Sequence, residues 1–152
     1  MEIIRDHLHD TGSGARRVPL VVERLALAKR RWRGVAEDGR EFGFDLEHPL
    51  GDGDLFFRTD EAIYVLAQKP EPVLEISVGP DPARAAQLGW MIGNLHFSLA
   101  IEGGAVRVSD DPALRQLFER EGIAFAAREA VFKPLGAAHS HSHTAAGTPH
   151  DH

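Results

Sequence analysis

Cysteine is absent from the chain, and its absence removes several kinds of chemistry. Disulfides, zinc-thiolate sites, cysteine-ligated iron-sulfur clusters and thiol catalysis are all excluded. Any transition-metal site must therefore rely mainly on histidine and carboxylate ligands. Positive charge is also in short supply, because the formal net charge is −6. This balance argues against general nucleic-acid binding, which needs a basic face, and is compatible with attracting cations.

Long hydrophobic runs are missing too. No segment approaches the ~20 apolar residues that a membrane span requires, and the first residues contain no long apolar stretch. We therefore expect a soluble, cytoplasmic protein that makes no contact with membranes. The hydrophobic fraction of 43% over 152 residues still suffices for a core, in one domain or two small ones.

Histidine, by contrast, is concentrated at the end of the chain. Five of the nine histidines fall in the last fourteen positions, and they are His139, His141, His143, His150 and His152. Imidazole suits nickel, copper and zinc, and a histidine-rich tract indicates metal binding. Serine, threonine, alanine and aspartate interrupt the tract, whereas expression tags are usually unbroken runs. We interpret it as a native metal-binding tail.

One further histidine follows an apolar, helix-like stretch. Gly89 and Gly93 are four residues apart, so on a helix they share a face that another backbone could approach. Gly93-Asn94 predicts the helix stop, because both residues tolerate the left-handed conformation. His96 comes next, in an apolar context that predicts partial burial. A lone histidine of this kind is usually a hydrogen-bonded core residue, but the histidine-rich tail supports a second interpretation, a metal ligand.

Short strands are predicted throughout the first half. Pro19 suits an edge strand, and Asp38-Gly39 predicts a two-residue hairpin turn. The predicted strands are Val18–Val22, Arg31–Val35, Glu41–Leu46, Leu55–Arg58 and Ala62–Ala67. Residues 1 to about 17 are expected to be a loosely held lead-in after a short apolar start. His7 and His9 share the one-residue spacing of the tail histidines, which we interpret as a coincidence of surface residues. The prolines in Lys69–Pro72 predict a boundary, so residues 1–70 form an all-β domain.

The pattern changes after that boundary. Residues 73–78, 97–101, 105–108 and 124–132 are predicted to be strands. Asp81-Pro82 begins a predicted helix over about 83–93, and Asp111-Pro112 begins a second that Gly122 ends. Strand, helix, strand, strand, helix, strand is the ferredoxin-like order, with both helices on one face of a sheet. We therefore predict an α+β protein with a ferredoxin-like βαββαβ domain over 71–135 and a disordered tail over 136–152.

The whole chain resembles the UreE urease accessory proteins, a family of nickel metallochaperones. The fragments that carry the resemblance are Asp38-Gly39-Arg40-Glu41, Gly51-Asp52-Gly53-Asp54, Pro72-Val73-Leu74-Glu75, Leu88-Gly89, Gly93-Asn94-Leu95-His96 and Glu129-Ala130-Val131-Phe132-Lys133-Pro134. Each fragment is weak alone, and their order and spacing make the match specific.

The resemblance implies a carrier that delivers Ni(II) for assembly of the urease metal centre. It implies a homodimer of the ferredoxin-like halves, in which two copies of His96 meet near the axis to hold one nickel ion. Histidines from His139 onward would complete or buffer that site, and would also take Zn(II) or Cu(II) in vitro. It further implies a first half similar to the peptide-binding domains of DnaJ-type co-chaperones. The implied partners are the urease accessory GTPase and the urease apoprotein complex.

The chain departs from the family pattern at two places. Leu95 stands where family members commonly have arginine, and Asp110-Asp111-Pro112 stands where many have a histidine at the start of the last helix. A secondary surface site is therefore not expected from a histidine there, although Asp110 or Asp111 could offer a carboxylate oxygen.

Two other functions are compatible with the sequence. One is a protein-binding or chaperone module whose tail serves as a metal store. The other is a small metallohydrolase that uses His96 with Asp110 or Asp111. No nucleophile elbow, His-Glu-x-x-His motif or phosphate loop supports catalysis, so we predict that the chain is not an enzyme.

Overall fold

The computed structural model describes residues 1–9 and 14–136 of the chain. In chain order, the elements in these ranges are β1 (Glu2–Ile4), β2 (Arg16–Val22), α1 (Arg24–Leu27), β3 (Arg31–Val35), β4 (Glu41–Asp45), β5 (Leu55–Arg58), β6 (Ala62–Gln68), β7 (Glu71–Ser77), α2 (Pro82–Asn94), β8 (Ala100–Glu102), β9 (Ala105–Ser109), α3 (Pro112–Arg120) and β10 (Ala126–Ala130). None of these three helices is long and apolar enough to cross a membrane.

The first six strands form two three-stranded sheets, ordered β1-β4-β3 and β2-β6-β5. The antiparallel pairs β3/β4 and β5/β6 confirm the two predicted hairpins, and β2 is an edge strand as Pro19 predicts. The turn between β3 and β4 is one residue longer than predicted, because the Ala36 amide already bonds to the Arg40 carbonyl oxygen. Gly39, with φ of 87°, supplies the left-handed residue that closes such a three-residue loop.

Aromatic side chains fill the core of this first half. Phe42 is fully buried, and its ring centroid lies 5.0 Å from that of Phe56 and 5.1 Å from that of Tyr64, with the rings steeply inclined. Trp32 stacks on Phe44 with 3.8 Å between centroids. Aromatic pairs of these kinds contribute about 0.5–1.5 kcal/mol each beyond the area they bury. The first half therefore has a closed core of its own.

Two predictions for the first half are wrong. The lead-in is not loosely held throughout, because β1 pairs in parallel with β4, the Leu8 amide donates to the Leu55 carbonyl oxygen, and β2 already begins at Arg16. The half is not wholly β either, since Arg24–Leu27 form the single helical turn α1, which places Leu27 in the core. Both features depend on packing against distant parts of the chain, which local patterns do not report.

The second half is a four-stranded antiparallel sheet in the order β10-β7-β9-β8, with two helices. One face of β7 and β9 packs against both α2 and α3. The buried side chains on that face are Leu74, Ile76, Val106 and Val108 from the strands and Leu88, Ile92, Leu114, Leu117 and Phe118 from the helices. The element order from β7 to β10, with both helices on one face, agrees with the sequence prediction.

Aspartates begin both of these helices, as predicted. The Asp81 carboxylate accepts a hydrogen bond from the Ala83 amide at 3.0 Å, and that of Asp111 accepts one from the Ala113 amide at 2.8 Å. A proline follows each aspartate at the start of the helix. A cap of this kind stabilises a helix by about 1 kcal/mol. Gly122, with φ of 67°, follows the end of α3 as the sequence predicts.

The strand bounds of the second half differ from prediction at three places. β7 begins at Glu71 and contains Pro72, so only Lys69 and Pro70 interrupt the sheets. β8 begins at Ala100 rather than at residue 97, because Phe97 and Leu99 reach the core without strand pairing. β10 covers Ala126–Ala130, which is shorter than the predicted 124–132.

Several side chains connect the two halves. The Arg24 guanidinium donates two hydrogen bonds to the Glu71 carboxylate, at 2.8 and 3.0 Å, and lies 5.0 Å from the centre of the Phe132 ring. The buried Gln68 side chain donates from Nε2 to the Phe132 carbonyl oxygen at 2.7 Å. The segment after β10 thus returns to pack on the first half.

Asp52 adds a charged contact at the same junction. Its carboxylate lies 2.9 Å from the Lys133 ammonium and accepts a hydrogen bond from the backbone amide of Gln68 at 2.7 Å. Burial by itself raises the pKa of Asp52, but these two hydrogen bonds outweigh burial and hold the pKa below its usual value. Asp52 is therefore a carboxylate at neutral pH and stabilises the junction in that form.

Candidate metal site

His96 lies at the sharp turn that follows α2. The helix ends at Asn94, Leu95 caps it, and the His96 amide donates to the Gly93 carbonyl oxygen at 2.9 Å. His96 has φ of 62° and is the one non-glycine residue with positive φ among the described residues. The sequence prediction that Gly93-Asn94 supplies the left-handed residue is therefore wrong, because His96 takes that role.

This conformation has a cost that a glycine would avoid. A left-handed residue with a Cβ atom is disfavoured by roughly 1–2 kcal/mol, although histidine is one of the residues enriched there. Strain of this kind is often found at functional sites. The conformation places the imidazole at a corner between α2 and the segment leading to β8.

His96 is exposed, so the prediction of partial burial is wrong. Within residues 1–9 and 14–136 its ring has no hydrogen-bond or ion-pair partner. The interpretation as a hydrogen-bonded core histidine is therefore overturned. Its apolar neighbours in sequence pack elsewhere, since Ile92 is fully buried and Phe97 is half-buried, while the chain reverses between them.

Large apolar side chains near His96 in the chain are also exposed. The exposed fractions are 68% for Trp90, 42% for Leu95 and 61% for Ile101. Trp90 lies on the side of α2 away from buried Leu88, and the 3.6-residue period of a helix could have revealed this from the sequence. We refer to residues 88–101 as the His96 region.

The two glycines of α2, which belong to this region, leave open space on the surface of the helix. A Cβ atom built at Gly89 or at Gly93 would have no heavy atom within 4 Å beyond the glycine's own neighbours. The close backbone approach that the sequence predicts does not come from the described part of this chain. The space remains open to another molecule.

One chain does not assemble a complete metal site from the residues described. These residues include no group of three histidine, aspartate or glutamate side chains arranged to hold a metal ion. The Asp110 carboxylate receives two hydrogen bonds from Arg115, at 2.6 and 2.7 Å, which hold the pKa of Asp110 below its usual value. Asp111 caps α3. Both carboxylates that the sequence offers as ligands are thus engaged elsewhere.

Comparison with known proteins identifies the family. The family profile described as "UreE urease accessory protein, C-terminal domain" matches residues 71–152. The "Urease accessory protein UreE" of Pseudomonas putida (strain GB-1) is 32% identical, with 100% of this chain and 90% of that protein aligned. The protein of the same name from Paracoccus denitrificans is 34% identical over 75% of this chain and 72% of its own. The chain belongs to the UreE family.

The UreE family name describes accessory proteins and not enzymes, so the prediction that the chain is not an enzyme is confirmed. A urease accessory protein has a role in urease maturation and acts with urease-related proteins. The alternative of a small metallohydrolase using His96 with Asp110 or Asp111 is not supported.

The sequence predicts five further ligands in this UreE chain. They are His139, His141, His143, His150 and His152, and all of them lie outside the described residues. Of the six predicted ligands, His96 alone falls on described structure, where it is accessible. Two further histidines, His7 and His9, lie together on the first half, with 4.9 Å between their ring centroids.

Proposed function

We propose that this chain is a nickel metallochaperone that delivers Ni(II) for assembly of the urease metal centre. The observation that carries the proposal is the exposed, unpartnered His96 in its left-handed corner. Membership of the UreE family makes urease maturation the setting. The ion is cargo, so the site must bind it and then release it.

A homodimer is the simplest way to complete a site that holds a single imidazole per chain. Two copies related by a two-fold axis through the His96 region would bring two His96 rings to one ion. Exposed Trp90, Leu95 and Ile101 support association there, because large apolar side chains are usually buried when partners meet. In this proposal residues 71–135 form a ferredoxin-like metal-binding and dimerisation domain, and residues 1–70 form a separate β domain.

The C-terminal histidines, from His139 to His152, supply further ligands in this proposal. Imidazoles on a tail can leave the ion one at a time, so an acceptor protein can replace them stepwise. The same ligands accept Zn(II) or Cu(II) in vitro, since imidazole binds all three metals. Protons compete for imidazole near its unperturbed pKa of about 6.5, so nickel affinity should weaken between about pH 7 and pH 5.

Delivery requires acceptors, and the proposed ones are the urease accessory GTPase and the urease apoprotein complex. The family resemblance supports these partners. The nickel-loaded dimer would pass its ion to them by exchange of imidazole ligands.

Calorimetric nickel titration of the full chain tests the proposal through His96→Ala. We expect the tightest site to weaken by about 100-fold or more, because the variant removes both imidazoles that the dimer contributes. The matched control is His48→Ala, another exposed histidine, which should leave the tight site unchanged. Unaltered tight binding in His96→Ala would overturn the interfacial site.

A further inference from the structure

A pair of histidines within one chain, His7 and His9, lies far from His96 in the sequence. His7 and His9 follow β1, and their rings are 4.9 Å apart between centroids, with 72° between the ring planes. Both side chains are exposed. The contact between the rings shows that both imidazoles lie side by side on one part of the surface.

The backbone holds this pair against the body of the first half. The Leu8 amide, between the two histidines, donates to the Leu55 carbonyl oxygen at 2.6 Å. Just upstream, Ile4 is buried and paired with Phe44 in the β1/β4 ladder. Main-chain contacts on either side of Asp6 thus hold the backbone that carries both imidazoles.

Asp6 selects the tautomer of a neutral His7 ring. One carboxylate oxygen, Oδ1, accepts the His7 amide at 2.8 Å and lies 2.9 Å from His7 Nδ1. A carboxylate only accepts hydrogen bonds, so Nδ1 must carry the proton. The lone pair of a neutral His7 ring is then on Nε2, free to bind a metal. Carboxylate, histidine and metal in this order is a recurrent arrangement in metalloproteins.

We propose that His7 and His9 form a second metal site, which binds a divalent transition ion such as Ni(II), Cu(II) or Zn(II) through their two imidazoles. Asp6 is the positioning residue, and water completes the coordination. The site lies in the first half, apart from the His96 region, and goes beyond the proposed function. With two protein ligands it binds more weakly than a closed site and leaves positions open to a ligand from another protein.

Nitrogen-15 NMR of the histidine rings in the full chain tests the proposal, with Zn(II) as the diamagnetic probe. We expect the His7 and His9 ring nitrogens to shift together and to saturate at the same zinc concentration. The variant His7→Gln/His9→Gln should lose the associated shift of the Leu8 amide, whereas His48→Gln should keep it. Unmoved His7 and His9 resonances at excess zinc would overturn the proposal, as would a Leu8 shift that persists in the double variant.

A second variant tests the role of Asp6. Asp6→Asn keeps both imidazoles but no longer fixes the proton on Nδ1, so zinc affinity at this pair should fall by about 10-fold. The His7 ring shifts should also show mixed tautomers in the absence of metal. Unchanged tautomer and affinity would show that Asp6 does not position His7. His96 resonances report the other site separately, so either proposal can fail alone.

Discussion

The two halves of this UreE chain differ in the burial of their aromatic side chains. The first half buries Phe42 completely and surrounds it with other aromatic rings. The second half leaves Trp90 with 68% of its surface exposed and Ile101 with 61%. Its core under α2 and α3 is complete without either of them. Exposed aliphatic side chains occur in both halves, Leu25 among them, but Trp90 is the one large exposed aromatic residue among the described residues, and it lies close to His96 in the chain.

The histidines of the two halves also differ, in whether the ring has a partner within the chain. In the first half, His7 has an aspartate partner in the same chain. In the second half, His96 has no partner among the described residues, and residues 71–136 contain no other histidine. Uncovered apolar surface and an incomplete ligand set occur in the same region. We infer that association completes both, and the predictions below test this difference between the halves.

The largest expected effect is on thermal stability, and it distinguishes the buried aromatic residue Phe42 from the exposed Trp90. Phe42→Ala should lower the free energy of unfolding by about 3–5 kcal/mol, because it leaves a cavity in a closed core. Trp90→Ala should act through association, so its effect on the melting temperature should depend on protein concentration. Thermal unfolding at several concentrations measures both. A concentration-independent loss in Trp90→Ala as large as that in Phe42→Ala would remove the contrast.

A charge placed in the His96 region should dissociate the proposed dimer. Trp90→Glu should weaken dimerisation by about 100-fold or more, because an unpaired carboxylate would be buried at the contact. Leu25→Glu is the matched control, since Leu25 is 69% exposed but lies on the first half. Sedimentation equilibrium measures the dissociation constants. Equal weakening by both variants would mean that the His96 region is not the contact.

Removing a contact between the two halves should have an intermediate effect on the free energy of unfolding. Arg24→Ala should cost about 1–3 kcal/mol, because it removes a two-bond pair with Glu71 and the packing of the guanidinium on Phe132. Arg31→Ala breaks a far more exposed pair, with Asp45, and should cost less than about 0.5 kcal/mol. Urea unfolding compares them. Equal losses would show that the Arg24 contact does not hold the halves together.

The smallest expected effect is on how stability changes with pH in acid, to which Asp52 contributes. The folded-state pKa of Asp52 is lowered, so its contribution to stability is present above the unfolded pKa of about 3.9 and is lost as pH falls through the folded value. Below about pH 4, further acidification should therefore destabilise Asp52→Asn less than the unmodified chain. The difference in the free energy of unfolding should be at most about 1 kcal/mol. Urea unfolding between pH 5 and pH 2 measures the slope. Asp60→Asn, an exposed carboxylate, is the control, and a slope in Asp52→Asn equal to that of the unmodified chain would contradict the prediction.

Features that depend on neighbouring residues were predictable from the sequence. Asp81 and Asp111 begin helices because a side-chain oxygen meets an amide two residues on. Gly39 closes a hairpin because it tolerates positive φ. The family, too, follows from short fragments in order. Such features need no knowledge of distant contacts.

Features that depend on distant contacts could not be predicted in this way. β1 looks like a loose end until β4 is beside it. His96 looks buried because its sequence neighbours are apolar, yet Ile92 and Phe97 take the interior positions and leave His96 outside. The exposure of Trp90 is an intermediate case, visible in the helical period once Leu88 and Ile92 are taken as the core side.

The shared nickel ion and the dimer are tested together by the mass and nickel content of a chain ending at Gly136, measured by native mass spectrometry with and without His96→Ala. That chain keeps His96 and removes every tail histidine. We expect a dimer that retains one tightly bound nickel ion per two chains and loses that ion in His96→Ala, with the weaker His7 and His9 pair removed by His7→Gln/His9→Gln in both samples. A monomer, or a chain that retains no nickel without its tail, would contradict it. The second outcome would favour instead a protein-binding module with a metal-storing tail.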